Sequence, residues 1–84
     1  ISSKLELSPN PAHSHIDLRY NANSAGEVNV KLMNEAGVSL IAKTFKTSTG
    51  DNLLKINVDH IAPGFYLLEM NENSKRAVKK VIIE

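Results

Sequence analysis

The sequence predicts an all-β fold, an Ig-like antiparallel β-sandwich of about seven short strands. Clusters of Gly, Pro, Asn, Asp and Ser recur about every ten residues ("NANSAG", "NEAG", "STGD", "APG", "NENS"), and these residues favour turns. The segments between the clusters alternate apolar and polar residues, which is the period of a half-buried strand. No segment keeps a helical period over the length of a helix, so the prediction contains no helix.

The first half of the chain contains four of the predicted strands. The first covers Lys4–Leu7, and the others lie in "HIDLRY", "EVNVKLM" and "VSLIAKTF". In the last of these, Val38 and Leu40 are predicted to point inward. The apolar phase then shifts at Ile41 towards Phe45, which predicts a β-bulge. The inward positions predicted for the two middle segments are Ile16, Leu18, Tyr20, Val28, Val30 and Leu32.

Three more strands follow, in "LLKINV", in "GFYLLEM" and over Ala77–Glu84. We expect Gly37 to take a positive φ in a hairpin formed by "NEAG". In the turn of "NENS", Asn73 is a candidate for left-handed geometry. Gly64 follows a proline and is expected to leave room for Tyr66 to fold inward. The inward positions predicted for the first two of these strands are Leu54, Ile56, Val58, Tyr66, Leu68 and Met70.

Composition limits the class of protein. The 84 residues form one domain, 1–84, and the chain has no cysteine for a disulfide or a thiolate metal site. A net charge of +1 gives no reason to expect nucleic acid as a partner. No apolar run approaches the roughly 20 residues that span a bilayer, so no stable membrane insertion is expected. The chain begins at Ile1 without a signal-peptide pattern, and we expect it to be part of a longer protein.

Basic residues are concentrated at the end of the chain. Four of the ten lie in residues 75–84, namely Lys75, Arg76, Lys79 and Lys80, against the single acidic residue Glu84. Lysine on a solvated edge strand discourages unwanted strand pairing, and this is the minimal explanation. The alternative is that the basic run forms a binding strip.

Motifs for catalysis are missing. The sequence has no cysteine nucleophile, no Gly-x-Ser-x-Gly elbow and no phosphate-binding glycine loop, and no cofactor is expected. His13 and His15 would share one side of a strand and could supply half of a metal site. His60 would have to complete the site. The simpler alternative is a set of exposed histidines, so no metal is predicted.

The number and placement of aromatic residues indicate whether a sugar-binding surface is present, since carbohydrate modules usually display several flat rings on one sheet. This chain has only Tyr20, Phe45, Phe65 and Tyr66, and no tryptophan. The two tyrosines fit the inward alternation, which leaves Phe65 as the aromatic expected to be exposed. A carbohydrate-binding or adhesive module of a surface enzyme remains the alternative function.

Four blocks of sequence, taken in order, resemble a known family. They are "LSPNPAHSHIDL", "VNVKLMNEAGVSL", "IAPGFYLLEM" and "AVKKVIIE", and together they resemble the C-terminal sorting domain of the type IX (Por) secretion system of Bacteroidota. His13 and His15 depart from the family pattern, which more often has polar or acidic residues there. The residues that match its motifs are Pro9, Asn10, Pro11, Gly37, Gly64, Phe65, Tyr66, Lys79, Lys80, Val81, Ile82 and Ile83.

The resemblance implies a non-catalytic export signal. Its partners would be the type IX translocon, a sortase-like peptidase and the cargo domain on its N-terminal side. The cargo would pass through the periplasm and then reach the outer membrane, the cell surface or the medium, with the tag removed at or before Ile1. We expect Lys79–Glu84 to belong to the recognition surface, although each motif residue also has a structural explanation. A homodimer through an exposed edge strand is a further expectation.

Overall fold

Alternating segments of the sequence form the strands of the fold. The computed structural model describes residues 4–8, 13–72 and 75–84, and its regular structure there consists of strands alone. The seven strands are β1 (Lys4–Ser8), β2 (His15–Ala22), β3 (Gly26–Met33), β4 (Ser39–Thr47), β5 (Gly50–Asn57), β6 (Gly64–Glu72) and β7 (Lys75–Ile83). The predicted all-β class and the number of strands are confirmed.

The strands form two antiparallel sheets that pack face to face. One sheet has the order β1-β2-β5, and the other has the order β4-β3-β6-β7. The narrower sheet therefore ends in β1 and β5, and the wider sheet ends in β4 and β7. This is the predicted two-layer sandwich, in which the core forms from the inward side chains of both sheets.

The core contains the side chains that alternation predicts to point inward. Ile16, Leu18 and Ile56 of the narrower sheet are fully buried, as are Leu32 and Leu68 of the wider one. Burying one such side chain contributes roughly 1.5–3 kcal/mol to stability. The remaining predicted inward residues of β2, β3, β5 and β6, and Val58 just after β5, are also buried: Tyr20, Val28, Val30, Leu54, Val58, Tyr66 and Met70.

Strand β4 departs from the prediction in its first half. Val38 and Leu40 are 54% and 43% exposed, so the expectation that they point inward is wrong. The reason is the register with β3: Leu32 lies opposite Ile41, whereas the next residue, Met33, lies opposite Ser39. Leu40 is the extra residue of this β-bulge, and Val38 precedes the first residue of β4, so neither side chain occupies a regular inward position of the strand. The predicted bulge is thus confirmed.

The turn between β3 and β4 has the geometry expected for "NEAG". Gly37 has a φ of 83°, a left-handed value that costs other L-residues energy. The Asn34 side-chain oxygen accepts hydrogen bonds from the backbone N–H groups of Ala36 and Val38, at 2.9 and 3.0 Å. These bonds satisfy the turn locally, as Asn commonly does. The expectation for Asn73, in the turn between β6 and β7, lies outside the described residues.

Candidate functional site

The last strand forms an edge of the sandwich. In the described part of the chain β7 pairs only with β6, in an unbroken register from Gly64 opposite Ile83 to Glu72 opposite Lys75. The predicted terminal strand is therefore present, although it begins at Lys75 rather than Ala77 and ends at Ile83, one residue before Glu84. An edge strand exposes backbone N–H and C=O groups to which another chain can add.

Alternation distributes the terminal motif over two surfaces, because successive side chains of a strand point to opposite faces. Val81 and Ile83 point inward and are buried, with 1% and 2% of their surfaces exposed. Lys79 lies on the same inward side, opposite the buried Leu68, but remains exposed at the edge. Lys80 points to the outer face instead. The run "KKVII" therefore supplies two core residues and places its two lysines on opposite sides of the sheet.

The outer face of β7 packs its basic residues against neighbours on β6. The Lys80 ammonium nitrogen lies 5.4 Å from the centre of the Phe65 ring, a cation–π contact worth about 0.5–1 kcal/mol at an exposed site. Arg76 Nε lies 2.6 Å from a carboxylate oxygen of Glu69, whose side chain is only 12% exposed. Phe65 is 51% exposed, as predicted. The outer lysine and arginine are thus both engaged with β6.

An open groove lies between β7 and β1, the neighbouring edge of the other sheet. It contains about 610 Å³ of space and brings together parts of the chain that are far apart in sequence. Its lining residues are Leu5, Glu6, Leu7, Ser8, Arg19, Lys79 and Lys80. The terminal lysines therefore border a shared surface with β1, and this groove together with the β7 edge is the candidate recognition site.

The Gly-x-Tyr motif acts within the fold. The Tyr66 ring is buried, and its hydroxyl donates a hydrogen bond to the carbonyl oxygen of Ala62 at 2.5 Å. A bond from a buried tyrosine to the backbone a few residues upstream is the tyrosine corner of Ig-like sandwiches. Gly64 has a φ of 156°, which other residues rarely adopt, whereas a Cβ there would meet the Tyr66 ring only at an ordinary 3.6 Å. Backbone conformation rather than space therefore accounts for this glycine.

The remaining predicted motif residues lie away from β7 or outside the described residues. Gly37 is in the turn between β3 and β4, and β6 separates β3 from β7 in the sheet. Pro9, Asn10 and Pro11 lie outside the described residues. Ile82 is half-buried on the outer face of β7, opposite Phe65.

The three histidines are not gathered together. His13 is exposed, His15 lies 3.8 Å from an Asp17 oxygen, and His60 lies 3.6 Å from Asp59. Among residues 4–8, 13–72 and 75–84, no three His, Asp or Glu side chains form a group that could hold a metal ion. The same residues contain no helix long and apolar enough to cross a membrane.

These features define a small two-sheet β-sandwich module whose candidate site is a basic edge rather than a pocket for chemistry. The sequence matches the family described as "Secretion system C-terminal sorting domain" over residues 6–84. The chain belongs to this family, the C-terminal sorting domains of the type IX (Por) secretion system. No curated protein matches the sequence.

Solved structures support the fold. The crystal structure of dimeric latent PorU from Porphyromonas gingivalis is similar over 96% of this chain, with a TM-score of 0.74 and 21% identity. A β-glucosidase from Listeria innocua in complex with glucose is similar over 98% of the chain, with a TM-score of 0.51 and 13% identity. The matched regions are 9% and 16% of those chains, so this chain spans a small part of each. The likeness to PorU agrees with the predicted Ig-like sandwich.

Sequence reasoning missed the β1 side of the groove. Arg19, Glu6 and Leu5 border the terminal lysines, and none of them was expected to do so. Alternation reports which face a residue occupies within its own sheet, but it does not report which strands of the opposite sheet lie nearby. No local sequence signal could have identified these residues.

Proposed function

We propose that this domain is the export signal of a cargo protein joined to its N-terminal side, and that it directs the cargo through the outer-membrane translocon of the type IX secretion system. Family membership over residues 6–84 is the observation that carries this proposal. The domain itself is non-catalytic in this scheme. The exposed basic edge supplies a surface that a receptor can contact.

The recognition surface is centred on Lys79–Glu84 and its neighbours at the edge of the wider sheet. An extended segment of the machinery pairs with backbone groups of a strand edge beside these residues, and side-chain contacts add selectivity. The two lysines are the motif residues best suited to direct contact, because both are exposed. Gly64, Tyr66, Val81 and Ile83 act by maintaining the fold that presents them.

The later steps of export are part of the same proposal. The cargo passes through the periplasm before the translocon accepts it. A sortase-like peptidase of the system then removes the domain at or before Ile1 and attaches the cargo to anionic lipopolysaccharide at the cell surface. Family membership is the support for these steps, and Edman sequencing of the released domain would identify the cleaved bond.

A reporter fusion tests the export function directly. A periplasmic reporter carrying this domain at its C-terminus should reach the surface or the medium in a host with a type IX system, and should stay in the periplasm in a translocon-deficient strain. The matched control is the same reporter without the domain. Export in the translocon-deficient strain, or retention of the fusion in the competent one, would contradict the proposal.

A carbohydrate-binding module is the alternative function that the sequence left open, and the structure gives little support for a sugar-binding surface. Tyr20 and Tyr66 are buried, Phe45 is half-buried, and Phe65 lies under Lys80. The glucose in the β-glucosidase crystal belongs to that protein, whose resemblance here is one of fold. Binding of the isolated domain to a glycan array would favour this alternative over sorting.

A homodimer through an edge strand stays a prediction. Antiparallel pairing of β7 with a second β7 would bring two strands with four basic residues each, and no acidic ones, against one another. Like charges on facing strands destabilise pairing. A partner of opposite charge is therefore better suited to this edge than a second copy.

A further inference from the structure

The groove beside β7 has one wall made of an available strand edge. In the described residues β1 pairs only with β2, so its other edge faces the groove, and four consecutive residues, Leu5–Ser8, line it. Four residues of extended chain cover about 13 Å at roughly 3.3 Å per residue. Backbone N–H and C=O groups alternate along such an edge, and an added extended peptide is the ligand whose own groups alternate in the same way.

The side chains around this edge are mostly cationic. Arg19, Lys79 and Lys80 line the groove, with Glu6 as the acidic lining residue, and Glu6 lies opposite Arg19 in the register of β1 with β2. The lysines come from the wider sheet, and Arg19 lies with Glu6 on the narrower one, so the net positive charge of the groove lies on its β7 side. A segment bearing carboxylates complements this arrangement, and charge complementarity increases both specificity and association rate.

We propose that the groove between β1 and β7 binds an extended acidic peptide segment, which adds as a strand to the edge of β1 while its carboxylates contact Lys79, Lys80 and Arg19. This inference deepens the proposed export function, because it gives the chemistry of the segment that the receptor or another component inserts. The edge of β1 is the better template of the two. On β7, Lys79 is an inward-pointing charge, a feature that opposes direct extension of a sheet.

A second copy of the chain does not meet these requirements. Its four edge strands in the described residues are β1, β4, β5 and β7. β1 and β5 each contain one acidic and one basic residue, while β4 contains two lysines and β7 four basic residues without an acidic one. None of these strands has net negative charge, so the occupant comes from another protein or from the cargo.

Fluorescence anisotropy with a defined probe tests the inference. The probe is a fluorescein-labelled peptide of alternating Thr and Glu, and the protein is the 84-residue chain. Lys79→Glu should weaken binding roughly tenfold, because one favourable charge becomes repulsive. Lys43→Glu is the matched control: Lys43 occupies the corresponding inward position on the other edge strand, β4, opposite buried Val30. This variant should keep the parent affinity.

Changes in the probe separate strand addition from simple ion pairing. A peptide with alternate backbone nitrogens methylated should lose binding, and a Thr-Lys peptide should not bind. Amide chemical shifts of the ¹⁵N-labelled chain should change along β1 and β7 upon addition of the Thr-Glu peptide. Equal binding by the methylated peptide, equal effects of Lys79→Glu and Lys43→Glu, or displacement of the probe by phosphatidylglycerol vesicles would overturn the inference.

The export assay keeps the two proposals distinguishable. If the reporter is exported but the chain does not bind the Thr-Glu peptide, the groove inference is wrong and the sorting function stands. If the peptide binds in the groove but the reporter stays in the periplasm of a competent host, the sorting function is wrong and the groove has another acidic partner.

Discussion

The hydroxyl of Tyr66 is the polar end of a side chain that otherwise lies in the core. It donates its hydrogen bond to the Ala62 carbonyl just before β6, which ties the entry of that strand to its own interior. Gly64 lies between the two residues with a φ of 156° that favours glycine. These features give the Gly-x-Tyr motif a structural explanation within the fold.

We predict that Tyr66→Phe lowers the free energy of unfolding by about 1 kcal/mol, because it removes one hydrogen bond while keeping the ring. Urea denaturation followed by circular dichroism measures the change. At a temperature where the variant is fully folded, a reporter carrying it should be exported as well as the parent. Unchanged stability would show that this hydrogen bond does not stabilise the fold, and loss of export from a folded variant would assign the hydroxyl to recognition instead.

At the scale of strands, the two edges of the wider sheet share a feature. Lys43 of β4 lies opposite buried Val30, and Lys79 of β7 lies opposite buried Leu68, so each edge strand has a lysine at an inward position. The wider sheet has one strand more than the narrower one, which leaves both lysines in solvent at the sides of the sandwich. A charge in this position opposes the addition of another copy to the edge.

We predict that Lys79→Val increases self-association of the isolated chain, because β7 then presents a continuous apolar inward face from Ala77 to Ile83. Sedimentation velocity over a concentration series measures the effect as a shift towards dimers or larger species. Lys46→Val is the control, since it removes the same charge from an exposed position of β4 that faces outward. Equal sedimentation of Lys79→Val and the parent would show that the inward lysine does not protect the edge.

Alternation predicted the faces of most strands because one side of each is packed against the other sheet. It failed at Leu40, which is the extra residue of β4 at the register shift, and at Val38, which precedes that strand; both side chains are exposed. Alternation also predicts that Lys79 and Lys80 lie on opposite faces of β7. It could not reveal that Arg19 and β1 lie beside them, because packing between sheets determines that arrangement.

For the molecule as a whole, stability and the proposed recognition surface depend on the same strand. A chain of 84 residues has a stability of roughly 4–13 kcal/mol at typical values per residue. β7 supplies Val81 and Ile83 to the core and pairs along the whole of β6. Deleting the strand should therefore disrupt the wider sheet and remove the proposed recognition surface together, so truncation alone cannot separate these roles.

A series at one core position can separate them. We predict that Ile83→Val lowers the free energy of unfolding by about 0.5–1.5 kcal/mol and Ile83→Ala by about 2–5 kcal/mol. The reason is that Ile83 is buried, with only 2% of its surface exposed. Export of the reporter should follow the folded fraction of each variant, measured by urea denaturation at the assay temperature, and should recover on cooling to temperatures where the variant folds.

Lys79→Glu should behave in the opposite way. Its exposed side chain makes little difference to packing, so the variant should unfold at nearly the parent urea concentration and yet export poorly, because a receptor that reads the basic edge meets a reversed charge. Lys43→Glu, with the same change of charge on the other edge, should export normally. Export of Lys79→Glu at the parent level would mean that the folded shape, rather than the basic edge, is what the machinery reads, whereas a folded Ile83→Ala that fails to export would place recognition in the buried end of β7.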